Sequence, residues 1–338
     1  MSARLPYLTV RRLLGTLAAL GALLVVSVAA ATLIGPVHVS LRAALAGSAD
    51  TSPDHVILFR TRLPRILLSA IVGACLGTSG AALQGLLCNP LACPHVLGIS
   101  AGAAVAGVLA LVAGADPVSP LVPVAAFGGA LGAIAVVAAA ARAGGQTTPH
   151  AVLLVGIVCT SMAAAVIMLV NALASYTQAQ GVLFWIMGSL SSQSYALIAL
   201  AWVYGLVGLA WLLRHAQHLN LLAGGEEGAL HLGVEVERVR RAVFVAASLL
   251  VGAAVSVSGM IGFVGLIVPH VLRLMLGPDQ RLLLPASFLA GGTFLVWADT
   301  LARTVLAPTE LPVGVITALT GGPFFIYLLR REGGRTVD

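Results

Sequence analysis

Gly98-Ile99-Ser100-Ala101-Gly102 has the spacing of a serine nucleophile. A Gly-x-Ser-x-Gly elbow works when a strand-to-helix turn exposes the serine to a histidine base. Here the pentad opens an apolar run with no strand before it, in a chain with 38 glycines, so helix packing is its better reading. His95 and His270 each follow a proline near the end of an apolar run, where structural and interfacial roles dominate. Cys88 and Cys93 bracket Asn-Pro-Leu-Ala. Their spacing matches no zinc pattern, and Cys75 and Cys159 supply no second pair, so all four read as reduced packing residues and no metal site is assigned. Asp299 and Arg303 stand four residues apart, the spacing of a helix-stabilising ion pair. The competing reading makes Asp299 a proton relay, because buried acids mark ion paths through membranes. The eighteen basic side chains are all arginine. A phosphate loop needs a lysine to reach the terminal phosphates, so this chain carries no ATP site of that kind. No catalytic residue and no cofactor are assigned to it; ATP and magnesium, where they act, belong to a partner subunit.

The elements holding these residues are almost entirely apolar. Hydrophobic residues make up 59% of the sequence and charged ones 9%, against about 25% charged in soluble domains. Roughly 20 apolar residues span a bilayer, and ten runs approach that length: 13–34, 64–87, 94–113, 119–141, 150–173, 193–213, 241–261, 263–276, 282–306 and 312–330. The first follows Arg4, Arg11 and Arg12 as a signal peptide would, but it is longer than a signal core of about 7–15 residues and is read as a retained span. The eighth is short and opens in a Gly-rich turn, and Val182–Met187 between two glycines reads as a half-helix dipping into the protein. Gly73, Gly77, Gly80 and Gly102 are small residues of the kind that let membrane helices approach closely. The expected fold class is therefore an all-α polytopic membrane protein of about ten transmembrane helices, one domain over 1–338. With both termini cytoplasmic, thirteen of eighteen arginines fall inside and Arg42, Arg60, Arg62, Arg65 and Arg303 outside, as the positive-inside rule asks. The net charge of +6 thus reports topology, and nucleic acid is not an expected partner. Pro94-His95-Val96-Leu97 recurs as Pro269-His270-Val271-Leu272, five spans on, a faint echo of an inverted repeat.

Two polar features stand out. The connection 214–241 contains Leu219, Leu221 and Leu222, a break at Gly224-Gly225, then Glu226, Glu227, Leu230, His231 and Gly233. The acids suit a helix N-terminus and Gly233 a helix end. Two short helices with exposed leucines would suit a partner's groove; the alternative is a helix lying on membrane lipid, against which the acidic pair argues. At the other face, Arg62, Arg65 and Arg303 either receive carboxylates from an external partner or snorkel to lipid headgroups.

Arg62-Leu63-Pro64-Arg65, Ser79-Gly80, Gln84-Gly85, Asn89-Pro90-Leu91-Ala92 and Leu97-Gly98, with the later Gly262–His270 and Glu310–Gly314 segments, resemble the FecCD/BtuC family of ABC-transporter permeases over nearly the whole chain. The resemblance implies a BtuC-like (type II ABC importer) bundle that homodimerises in the bacterial cytoplasmic (inner) membrane. Two ATP-binding subunits would sit beneath it and a periplasmic substrate-binding protein above. It implies a permease that moves a metal chelate, ferric siderophore first and haem or cobalamin next. By the same resemblance Arg62, Arg65 and Arg303 meet acids of the binding protein, Asn89 and Leu91 help form the inner gate, Leu219–Gly233 couples to the ATPase, and Val182–Met187 lies near the outer mouth. Cys93-Pro94-His95 departs from the family pattern, and Pro149-His150 aligns with no second gate segment. An ion-coupled secondary transporter with inverted repeats is the alternative, with Asp299 as its buried acid.

Overall fold

A backbone inside a bilayer has to satisfy its own hydrogen bonds, which favours helices, and the computed structural model, which describes residues 8–46, 52–116, 119–142, 149–190 and 194–333, is helical in this way. In chain order the helices are α1 Val10–Leu33, α2 Leu41–Ala46, α3 Pro53–His55, α4 Leu63–Leu86, α5 Ile99–Val112, α6 Leu121–Arg142, α7 Pro149–Leu173 and α8 Tyr176–Ile186. They continue as α9 Tyr195–Arg214, α10 Ala216–Ala223, α11 Glu226–His231, α12 Val236–Ser258, α13 Val264–Leu276, α14 Gln280–Thr304 and α15 Val313–Gly333. Among the described residues seven helices are long and apolar enough to cross a membrane, and α5, α13 and α15 supply three shorter apolar ones. These are the ten runs read from sequence. Arg4 and Arg335, which entered the orientation count, lie outside the described residues.

Local signals set the helix starts. Thr9, Ser194 and Asp279 each accept a backbone N–H at the first turn of α1, α9 and α14. Ser175 and Gln178 form a reciprocal capping box on α8. α4 is the axis of the bundle: 94% of its apolar window is buried, against 11% for α1 and α7. Its glycines explain how neighbours come so close. A Cβ on Gly73 or Gly80 would overlap the carbonyl oxygens of Gly291 on α14 and Gly265 on α13, and one on Gly77 would stand 2.5 Å from the Ser287 oxygen. Gly102 brings α5 against Gly129 of α6 in the same manner.

Before α4, α3 and a π-helical turn over Val56–Arg62 run on into it as one 34-residue helix. Three expectations change. α12 begins at Val236 rather than 241, so the connection between α9 and α12 is shorter than 214–241. The half-helix Val182–Met187 is the second half of the 11-residue α8, whose capping box starts it earlier. The tetrapeptide echo is not a conformational one, since Pro94–Leu97 forms turns and Pro269–Leu272 lies inside α13.

At 13 residues α13 is about 20 Å long, less than the roughly 30 Å hydrocarbon core. Its start is met by protein. Phe263 caps it in the left-handed region at φ 66°, the Ser189 amide donates to the Ser258 carbonyl at 2.9 Å, and Gly314 lies against Met187 and Met260. The ends of α8 and α12 and the start of α15 thus meet beside the start of α13.

Candidate functional site

Three places carry the polar groups of the sequence reading. The first is the end of the bundle where α4 begins. The last carbonyls of α1 lack helical partners and carry partial negative charge. Arg62, 4% exposed, answers them: its guanidinium donates to Leu33 O at 3.2 Å, to Thr32 O at 3.5 Å and to Val37 O. Arg303, also 4% exposed, donates to Ala31 O at 3.5 Å and Thr300 Oγ1 at 3.3 Å. Asp299 is fully buried beside them. Arg65 Nε donates to its Oδ1 at 3.0 Å across helices, and Arg303 Nε lies 3.0 Å from its Oδ2, an ion pair off the hydrogen-bond line. Arg65 Nη1 reaches Glu310 Oε2 at 2.6 Å, and Glu310 is the half of that pair open to solvent.

The i,i+4 pair expected between Asp299 and Arg303 is present, and Arg65 joins it. With an arginine on each side, Asp299 has the environment of a structural counter-ion rather than of a proton carrier. The three arginines do not form a free cationic rim. Arg62 and Arg303 are closed inside, and only Arg65 with Glu310 faces outward. Glu310 stood in a sequence motif, but nothing in its spacing marked it as a partner of Arg65, 245 residues away.

The second place is the opposite end. α10 seats on the bundle through Leu219, fully buried, and Leu222, 7% exposed, while Leu221 is half-buried. The expectation of exposed leucines is corrected for these: the apolar face of α10 packs on α4, α9 and α14. Asn220 fixes the seat, donating to Asp279 Oδ1 and accepting from the Gln280 amide, each at 2.8 Å. Burial pushes the Asp279 carboxyl up, but hydrogen bonds from Arg281 and Asn220 outweigh it and hold the group below the usual carboxylate range.

The predicted break follows. Gly224 ends α10, and Gly225 opens α11 at φ 116°, a region favouring glycine. Glu226 and Glu227 occupy the first turn of α11, and Gly233, at φ 81°, ends the segment as its amide donates to Leu230 O at 2.9 Å. Arg240 of α12 binds Glu226 at 3.1 Å and Glu237 at 2.7 Å, which pins α11 to α12. What remains outward is a pad of Glu227, Leu230, His231 and Leu232. Sequence reasoning missed Asn220, Asp279 and Arg240; of these, Asp279 had a legible signal, an acid after a proline just ahead of an apolar run.

The third place is the loop between α4 and α5. Asn89 Oδ1 accepts from the Leu91 amide at 2.8 Å, an Asx turn that leaves Leu91 45% exposed. Gln84 of α4 accepts from Arg273 at 2.9 Å and donates to Leu266 O at 3.2 Å, tying α4 to α13 just before this loop. Thr160 of α7 donates to the His95 carbonyl at 3.3 Å on its far side. The His150 side chain lies outside the described residues. Ser100 is buried at the start of α5 and makes no hydrogen bond to a histidine among the described residues; its flanking glycines serve close packing, as expected.

Comparison with known proteins is consistent across the chain. The model of the FecCD transport family matches residues 23–331. The cobalamin import system permease of Halobacterium salinarum is 47% identical over 81% of this chain and 73% of its own length. The hemin transport system permease of Yersinia pestis is 38% identical over 92% and 93%. A solved chain described as an inward-facing metal-chelate type ABC transporter superposes with a TM-score of 0.83 at 30% identity, covering 93% of this chain and 98% of that one.

Proposed function

The chain belongs to the FecCD transport family, and from that premise we propose that it is the permease subunit of an ABC importer that carries a metal chelate across the cytoplasmic membrane. Two copies enclose the path, two separate ATPase subunits with their ATP and magnesium drive it, and a binding protein delivers the cargo at the α4-start end. The observation that carries this reading is the pad of α11. It is pinned to the bundle by Arg240 yet offers Leu230 and Leu232, 55% and 69% exposed, between acids. Apolar knobs on a rigid, charged stub are suited to a groove on another protein. Arg65, whose counter-ion Glu310 is half-open to solvent, supports acid-mediated docking at the other end. Arg62 and Arg303 then act there by placing α1 and Asp299, and Asn89 and Leu91 form the exit constriction.

Among chelates we put cobalamin ahead of a ferric siderophore or haem, reversing the order that the family resemblance implied, because the cobalamin permease shares 47% identity and the hemin permease 38%. The ion-coupled alternative is not favoured, since its one candidate acid is held between two arginines. The test is reconstitution of the permease with its ATPase and binding protein in vesicles. ATP-dependent accumulation of cobalamin is expected; accumulation by the permease alone would refute the proposal, and accumulation of haem instead would change only the cargo.

A further inference from the structure

The antiparallel helices α9 and α12 carry two matching stripes. On α9, Tyr204, Val207, Gly208 and Trp211 repeat at helical spacing and lead into Arg214. On α12, Arg238 and Arg241 lead into Ala242, Val245 and Leu249. Both stripes are therefore basic at the end bearing α10 and α11 and apolar toward the membrane interior. Gly208 draws the helices together, since a Cβ there would stand 2.5 Å from Leu250.

Between them lies an apolar trough of about 500 Å³, walled by Tyr204, Trp211, Val245 and Leu249. It shares Val207, Trp211 and Ala242 with a second hollow of about 780 Å³ lined by Arg214, His215, His218, Glu235 and Arg238. Val207 is 63% exposed and Trp211 51%, so the trough opens on the outside of the bundle.

The charges of this shelf and of Arg241, which lines the trough, are unbalanced. Glu235 pairs with Arg238 at 3.4 Å. Among the described residues neither Arg214 nor Arg241 meets a carboxylate, and Arg241 spends only Nε, on the Glu237 carbonyl at 3.3 Å. His215 Nδ1 is taken by the Trp211 carbonyl at 3.0 Å, and His218 Nδ1 is buried without a partner.

We infer that this groove is a binding site for an anionic phospholipid, its acyl chain in the α9–α12 trough and its phosphate on Arg214 and Arg241. A zwitterionic lipid carries its own ammonium beside its phosphate and so brings the two guanidinium groups no net counter-charge. A soluble protein would match the shelf but not the trough that continues from it into the apolar span. Basic pockets between membrane helices bind anionic head groups by this combination, with Trp at the interface as anchor.

The test is native mass spectrometry of the full chain after mild delipidation from bilayers of mixed phosphatidylglycerol and phosphatidylcholine. Selective retention of phosphatidylglycerol is expected, falling about fivefold in Arg214→Gln and again in Arg241→Gln. Arg241→Lys should retain it, and Arg11→Gln, a basic residue of α1 remote from the groove, should leave it unchanged. Gel filtration of each variant separates loss of lipid from loss of fold. Equal retention of the two lipids, or unchanged retention in both glutamine variants, overturns the proposal. So does release of the lipid by millimolar inorganic phosphate, which would mark a free-anion site. Loss of the ATPase subunit from the glutamine variants with lipid retention intact would make the shelf a protein contact and overturn it equally.

Discussion

Asp299 of α14 accepts a 3.0 Å hydrogen bond from Arg65 of α4 while lying 3.0 Å from Arg303 one turn along its own helix. This one carboxylate joins two helices and neutralises part of a three-arginine cluster, with no water-facing surface of its own. Breaking a buried pair by removing one partner leaves the other charge uncompensated, at a cost of about 3–5 kcal/mol. Asp299→Asn should therefore lower the unfolding temperature of the purified permease sharply, and Asp299→Glu less so. A variant with unchanged stability and abolished uptake would instead make Asp299 a proton carrier.

Arg65 faces outward with Glu310 as its exposed counter-ion. Arg65→Glu should weaken binding-protein association at least tenfold, read by surface plasmon resonance on permease in nanodiscs. Glu310→Gln, which removes the exposed counter-ion and leaves Arg65 held by Asp299 alone, should strengthen it. Opposite signs for the two variants are required; a loss in both would point to a purely structural pair.

The seam of α4 with α13 and α14 has no room for side chains at Gly73 and Gly80. Gly80→Ala should cost about 1–3 kcal/mol, as overpacked cores do, whereas Gly132→Ala on α6, with open space around it, should cost nothing measurable. Thermal unfolding of the two variants side by side checks the contrast.

Gly225 holds φ 116° between α10 and α11. Gly225→Val should displace the Leu230–Leu232 pad and abolish stimulation of the ATPase subunit by the permease, while membrane insertion and cargo-protein binding persist. Intact stimulation would remove α11 from the coupling role.

Asp279 clamps Asn220 of α10 to the start of α14, and its carboxyl is held below the usual range. A depressed folded value means that its stabilisation is complete above the unfolded value of about 4 and is lost as pH falls through the lower folded one. As pH falls below the unfolded value of about 4 and through the lower folded one, the seat of α10 should loosen, seen as faster hydrogen exchange over Ala216–Ala223. Asp279→Asn should flatten that dependence.

Hydropathy alone determined the ten apolar helices, because the lack of water in a bilayer imposes length and polarity on each span separately. The two short helices at 219–233 were legible for a similar reason: Gly224-Gly225, Glu226-Glu227 and Gly233 act on their own neighbours in the chain. Which leucines of that segment point outward was not legible, since Leu219 and Leu222 are buried by α4, α9 and α14, none of which their own spacing names. The arginines of the α4-start end divide the same way. Arg303 could be paired with Asp299 from a four-residue interval, but only the fold brings Arg65 to Asp299 across 234 residues and Arg62 to the open carbonyls of α1. Charge is written in the sequence, whereas the partner that neutralises it is a matter of distance in space, and that distance is set by how closely the glycine-lined helices pack.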